Sequence, residues 1–410
     1  MNDKVCPVAT QPTGDVIVFL GLIGLSMMEY GSVKVGNAPH LMVKNFIQFS
    51  IAVIFYWFLG YGFSFRYTRS DFIGEKAFGG EGWLKEPALG NGECFSFYVL
   101  VGIFVIYIIN LSIAERASYI FYMSFPALIM VFCWPVVLAW IYGEGWLMNA
   151  IEDSIWDYGA DITVYVFAGI FALIATIFLG KRPGRYDGGQ VSFDIVNPPV
   201  YIIGCFLTIL GVFGIAVAQQ KSKPEMSSSM HNLWISAGAS AIVSLKLLTL
   251  FKHDLRTHYV SLYQGFIAGM VIIASSAGNT TPWQAGIIGI LNGGVFWCGY
   301  QFIRLVKIDD SGDVFATFLL PGIIGGILPG FLHDDLGVFW AGWESGQTLG
   351  TQTVGTFVVL FWSLTFALLL VVPFYFLKIL KLDDGIIQGT LAETVITQRG
   401  FMTDRKHEEN

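Results

Sequence analysis

The groups able to do chemistry in this sequence are few, and several lie inside apolar runs. Tyr107 and Asn110 fall three residues apart within one such run. On a helix that spacing puts a phenol and an amide on one face. There they can donate and accept hydrogen bonds along a polar path or between packed helices. Glu29 stands near the end of the first run, and Lys246 within a later one. An ionisable group at such depth is costly, so it marks a site or a paired contact. Lys246 can also extend its ammonium to the nearer surface. Asp309, Asp310 and Asp313 sit beside Arg304 and Lys307 at a helix start. The helix dipole favours carboxylates there by about 0.3–1 kcal/mol, a structural role. No nucleophile–base pair, metal cluster or phosphate loop is recognisable, so neither an enzyme nor a cofactor is expected. The five cysteines (Cys6, Cys94, Cys133, Cys205, Cys298) form no CxxC pair and imply neither a zinc site nor a disulfide framework.

The elements that must position these groups are membrane helices. Of 410 residues, 54% are hydrophobic and 13% charged, whereas a soluble domain is about 25% charged. Mean hydropathy is +0.63, and 35 Phe outnumber 23 Lys and Arg. This excludes a secreted or cytosolic enzyme, a nucleic-acid binder and a disordered chain. The net charge of −7 is spread over many loops and decides nothing. Eleven apolar runs fall at about 16–33, 42–65, 96–114, 118–141, 160–180, 200–219, 232–251, 258–277, 284–305, 313–332 and 354–380, each long enough for a helix to cross a core of roughly 30 Å. Strand-like alternation is absent, so a β-barrel is not expected. The first run ends in Met28-Glu29-Tyr30-Gly31, which is no cleavage site.

The expected fold class is an all-α polytopic membrane protein with eleven transmembrane helices. Five plus five plus one suggests an inverted repeat followed by one long C-terminal helix. The expected organisation is an extracellular N-terminus (1–15), a membrane domain (16–381) and a cytoplasmic tail (382–410). Fifteen basic residues fall on one side of the spans and seven on the other, with Lys246 inside a span. Basic residues collect on the cytoplasmic side, which puts the N-terminus outside and the C-terminus inside the cell (inner) membrane. The loop 66–95, rich in Gly and charge, is expected to form a lid or short helices. Gly265 and Gly269, then Gly286, Gly289 and Gly293, then Gly322, Gly325, Gly326 and Gly330 recur at packing intervals. Close helix packing is the expectation, with a glycine-lined pore as the sharper alternative.

Several segments resemble the ammonium transporter (Amt/Mep/Rh) family. Tyr30-Gly31, Lys44-Asn45 and Tyr56-Trp57 through Gly60-Tyr61 are similar to its first two spans. Ala114-Glu115-Arg116 is similar to the turn after its third span. Gly143 to Trp146 with Asp157-Tyr158-Gly159 resembles its GGGW and DFAG region, and Leu179-Gly180-Lys181-Arg182 the end of its fifth span. Pro282-Trp283, Ile287-Ile288-Gly289, Lys307-Ile308-Asp309-Asp310 and Asp313-Val314-Phe315 keep the order PW, IIG, KIDD, DVF. The resemblance implies an eleven-span fold, a homotrimer in the lipid bilayer and one narrow pore per subunit. It implies ammonium carried as ammonia, with the proton handled separately.

The family's pore centre is a pair of hydrogen-bonded histidines. The positions that match are Tyr165, eight residues after Asp157, and Phe318, three after the DVF block. The six histidines (His40, His231, His253, His258, His333, His407) all fall in loops, at span ends or in the tail. A phenol with a pKa near 10 relays protons poorly at neutral pH, and a phenyl ring not at all. At the outer vestibule the resemblance places Tyr142 and Gln219, and at the gate below it Val101 and Ile215. Tyr142 can give a cation–π contact of about 0.5–2 kcal/mol. Asp157 matches a buried structural acid. Tyr107 and Asn110 are the candidates for a rebuilt polar path. The tail segment Asp383-Asp384-Gly385 to Gly389 lacks the family's acidic-histidine-glycine motif, which argues against a PII-type regulator. Two functions follow as expectations: a channel for ammonium, ammonia or another small neutral solute with altered pore chemistry, or a non-transporting sensor or subunit of a complex on the same scaffold.

Overall fold

The structure is a computed structural model describing residues 12–33, 38–65, 72–75, 78–81, 83, 91–143, 145–149, 155–182, 185–186, 195–251, 260–333, 337–342 and 346–382. Among these the fold is helical, and the one β-bridge pairs Ala117 with Lys381. Eleven helical elements follow the apolar runs. They are α1 (Pro12–Ser32), α2 (Ala38–Phe55, continued by Tyr56–Gly60 and Tyr61–Phe65), α3 (Asn91–Ile113) and α4 (Tyr119–Leu128, Ile129–Cys133, Trp134–Ile141). Next come α5 (Asp161–Val166, Phe167–Leu179), α6 (Pro198–Ala218), α7 (Lys223–Phe251) and α8 (Val260–Gln264, Gly265–Val271). The last are α9 (Pro282–Leu305), α10 (Phe315–Leu319, Leu320–Ile327) and α11 (Gly346–Phe376). Among the described residues ten helices are long and apolar enough to cross a membrane, and α8 is a shorter apolar helix. It unwinds after Val271 into turns that reach Ser276, which is why the run 258–277 yields less helix than its length suggests.

Five of these elements contain a π-helical turn: Tyr56–Gly60, Ile129–Cys133, Asp161–Val166, Val260–Gln264 and Phe315–Leu319. Such turns widen a helix by one residue and gather at functional sites. Two of them carry Tyr165 and Phe318.

Glycines let the helices close. A Cβ on Gly24 of α1 would come 2.3 Å from the Thr208 backbone nitrogen of α6, and one on Gly21 would come 2.4 Å from Gly211 Cα. In α8, a Cβ on Gly269 would meet the Ser240 Cβ of α7 at 2.5 Å, and in α9 one on Gly289 would meet the Ser236 carbonyl oxygen at 2.3 Å. These contacts are backbone to backbone or nearly so, the pattern of helix packing in lipid. Gly24→Ala therefore drives a methyl into rigid main chain. We expect it to destabilise the α1–α6 pair by about 1–3 kcal/mol, read as a lower apparent Tm in detergent, while Gly238→Ala, which meets nothing within 4 Å, leaves Tm unchanged.

Three short motifs from distant segments converge at one end of the bundle. Arg182, just past α5, donates to Asp309 from its backbone N–H (2.9 Å), from Nε (2.8 Å) and from a terminal nitrogen (2.9 Å). Its other terminal nitrogen meets Glu115 at 3.3 Å. Arg116, fully buried, lies 3.8 Å from Asp309 and donates to the Gly180 carbonyl at 2.8 Å. Asp310 accepts from the Ser112 hydroxyl (2.8 Å) and the Phe315 N–H (2.9 Å), so it caps α10. Asp313 pairs with Arg304 at 3.1 Å. The helix-start carboxylates thus do more than suit a dipole: Asp309 clamps the ends of α3 and α5 to the start of α10. The exit from α11 joins the same end, because the Ser118 N–H donates to Leu380 and the Leu382 N–H to Arg116.

One expectation is corrected. Cys94, at the start of α3, is disulfide-bonded, so a disulfide exists where the spacing of cysteines implied none. Without a CxxC pair, a long-range bridge leaves no local signal. Cys133, Cys205 and Cys298 are free, and Cys6 lies outside the described residues.

Candidate functional site: an aromatic and acidic line through the bundle

Tyr165 and Phe318 meet across α5 and α10. Their rings stack with centroids 5.9 Å apart and planes 26° from parallel. Both side chains are fully buried. Gly322, one turn beyond Phe318, makes the approach possible, since a Cβ there would lie 2.9 Å from Tyr165 Cβ. The Tyr165 hydroxyl makes no hydrogen bond within the described chain, nor does the Thr317 hydroxyl beside Phe318. Two buried hydroxyls without protein partners are costly, so this centre is not simply a satisfied apolar core. Among the described residues no histidine reaches it: His40 begins α2, His231 lies on α7 and His333 follows α10, while His253, His258 and His407 lie outside them.

Towards one end, Asp157 organises a turn before α5. Its carboxylate accepts the Ile162 N–H, the Thr163 N–H and the Ser275 hydroxyl, each at 2.9 Å. The Tyr142 hydroxyl donates to the Asp157 carbonyl at 2.6 Å and lies 3.3 Å from its carboxylate. The turn passes through Ala160 at φ 61°, a left-handed residue without a glycine's freedom. Gly159 is required beside it, because a Cβ would lie 2.0 Å from the Ala274 carbonyl carbon.

Asp161 is a residue that sequence reasoning missed. It is fully buried and one turn from Tyr165. One carboxylate oxygen accepts the Ser275 N–H at 2.9 Å, and the other makes no hydrogen bond within the described chain. Ser275 thus bridges two buried carboxylates with no basic side chain among their hydrogen-bond partners. The signal was present, since an acid inside an apolar run is itself a candidate.

The residues expected at the vestibule and gate are buried as well. Tyr142 packs on Tyr98 of α3 with centroids 5.8 Å apart. Tyr98 was also missed; its hydroxyl is fully buried and makes no hydrogen bond among the described residues. Val101 lies one turn further along α3, at 1% exposure, and Ile215 of α6 at 0%. Gln219 sits one turn beyond Ile215 and donates weakly to its carbonyl at 3.4 Å, and its own oxygen has no partner among the described residues. Tyr107 and Asn110 share a face of α3 and turn it to α2. The Tyr107 hydroxyl donates to the Asn45 carbonyl at 2.7 Å, and Asn110 donates to Gln48 at 2.6 Å and Asn45 at 3.2 Å. Glu29 is paired with Lys44 at 2.5 Å and Asn45 at 2.8 Å. These groups hold α1, α2 and α3 together and are separate from the Tyr165–Phe318 centre.

Among the described residues, ten membrane-length helices around a buried line of aromatic and acidic groups define a polytopic integral membrane protein. The sequence profile of the Ammonium Transporter Family matches residues 14–385, and the chain belongs to that family. It is 25% identical over 338 residues to ammonium transporter Amt2 of Archaeoglobus fulgidus, covering 78% of this chain and 70% of that one. With Amt1 of the same organism it shares 25% over 319 residues, covering 78% of each. Among solved structures, a sensor Amt protein superposes with a TM-score of 0.83 at 23% identity, covering 92% of this chain and 94% of the other. Mep2 of Saccharomyces cerevisiae gives 0.77 at 20% identity, covering 90% and 86%. These two likenesses establish the fold.

Proposed function

We propose that this chain is a channel of the ammonium transporter family that passes ammonia or another small neutral solute without relaying a proton through its centre. The observation that carries the reading is the Tyr165–Phe318 stack, fully buried and without histidine. A phenol and a phenyl offer no group that gains and loses a proton near neutrality. Tyr142, Tyr98 and Gln219 form the outer vestibule in this reading, Val101 and Ile215 its aliphatic gate, and Asp157 the structural acid beneath it. The assembly is a homotrimer with the N-terminus outside and the C-terminus inside. A disulfide at Cys94 supports that orientation, because disulfides persist in oxidising compartments. The tail gives no support for a PII-type regulator. The second reading, a non-transporting sensor or subunit, is favoured by the same stack, which fills the centre with two rings.

Uptake of labelled methylamine into proteoliposomes, with current recorded in parallel, separates these readings. The expected result is flux without current. A current evoked by ammonium would show that the centre relays charge and overturn the neutral-solute reading. Absence of both flux and current would favour the sensor or subunit.

A further inference from the structure

The loop between α6 and α7 carries a cation to the turn that holds Asp157. Trp156 and Tyr158 flank that aspartate, and their rings stand at 84° with centroids 5.4 Å apart, forming a right-angled corner. The Lys221 ammonium lies 4.9 Å from each ring centroid, over both faces at once. Among the described residues it makes no ion pair with a carboxylate. Glu225 instead accepts the backbone N–H groups of Lys221 (3.1 Å) and Ser222 (3.2 Å), so it fixes the loop while leaving the lysine head to the rings. The corner itself is rigid. Gln352 of α11 holds the Trp156 backbone from both sides, accepting its N–H at 3.0 Å and donating to its carbonyl at 2.8 Å. His333 backs the Trp156 ring with centroids 4.1 Å apart.

Aromatic faces attract ammonium groups through the ring quadrupole, and cages with two or more walls recognise alkylammonium ions. Here the occupant is tethered and exposed, so it can leave. Its partial burial pulls the lysine pKa down, offset in part by the Glu225 charge.

We propose that the Trp156–Tyr158 corner is a binding site for a small ammonium-type cation, ammonium or a methylated amine, and that Lys221 occupies it as a tethered competitor which a free cation must displace. This rests on the outer vestibule receiving a cation and is independent of whether the centre conducts. The lysine then sets the concentration at which the vestibule fills. A cation held at the corner sits beside Asp157, whose carbonyl is bound by Tyr142.

The test is calorimetric titration of the detergent-solubilised full chain with methylammonium chloride, at constant ionic strength held with sodium chloride. Lys221→Met keeps the stem and removes the charge. It is expected to bind methylammonium about tenfold more tightly than the parent, the scale of one lost cation–π competitor. Lys221→Arg keeps a competing cation and is expected to bind as the parent does. Adding Trp156→Leu to Lys221→Met is expected to abolish the gain, and Tyr158→Leu serves in its place should the first double variant not remain monodisperse. Unchanged or weaker binding by Lys221→Met overturns the proposal, as does a gain that survives loss of either ring. Tighter binding by Lys221→Met with no uptake in proteoliposomes leaves the corner standing and counts against conduction instead.

Discussion

Tyr165→His combined with Phe318→His is expected to let ammonium evoke a current in proteoliposomes about 100-fold above the background seen with the parent, the low end of what a positioned acid–base group contributes. Neither single substitution is expected to raise it. A relay needs a donor to meet an acceptor, and one neutral imidazole offers each to a second. A lone histidine opposite Phe318 or Tyr165 has no such partner. The geometry favours the pair, because the two rings already face each other at 5.9 Å and Gly322 keeps the space beside them clear. Imidazole is smaller than either ring it replaces, so overpacking is not introduced. Val101 and Ile215, the gate in the proposed reading, are unchanged and are expected to limit the gain. A folded double variant with no more current than the parent would show that the Tyr165–Phe318 stack is not what blocks charge movement.

Asp309→Ala is expected to cost about 3–5 kcal/mol of stability, the scale for stripping a buried charge of its partner. It leaves Arg182 with Glu115 at 3.3 Å and removes the Asp309 carboxylate from Arg116 and Arg185 as well. Asp309→Asn keeps hydrogen bonds but not charge and is expected to fall between. Apparent Tm in detergent is the measurement; equal Tm for the alanine variant and the parent would exclude the clamp. The pH dependence follows in sign. Burial alone would push the Asp309 carboxyl up, but its hydrogen bonds to Arg182 and the charges of Arg182 and Arg116 outweigh that and hold it well below the usual carboxylate range. Its contribution is therefore complete above about pH 4 and is lost only as pH falls through the lower folded value.

The helices were legible because a run of apolar residues long enough for lipid has few other meanings. Even there, α8 shows the limit: the same hydropathy accommodates a helix and the turns that follow it. Short motifs were legible as resemblance, yet their meeting was not. Arg182 and Asp309 are 127 residues apart, and nothing local in either segment announces the other. Tyr107 and Asn110 were rightly placed on one face, but which helix that face meets depends on tertiary packing. Asp161 carries no motif of its own beside Asp157, and in the sequence Lys221 is one basic residue of a short loop. Its importance comes from two rings 65 and 63 positions earlier in the chain. Cys94 was invisible for the same reason of distance.

The two wide turns at Asp161–Val166 and Phe315–Leu319 change how their helices should be written out on a wheel. A π-helical turn is an ordinary helix that has absorbed one extra residue, and each residue advances a helix by about 100°. Both turns open their helices, so the residues of the wide first turn and the stripe that follows it are out of phase by roughly that angle. Tyr165 and Phe318 stand within these phase jumps, so their orientation depends on an inserted residue as much as on their own identity. Shortening either turn by one position would rotate the first turn against the rest of its helix and separate the rings while keeping both of them in the sequence.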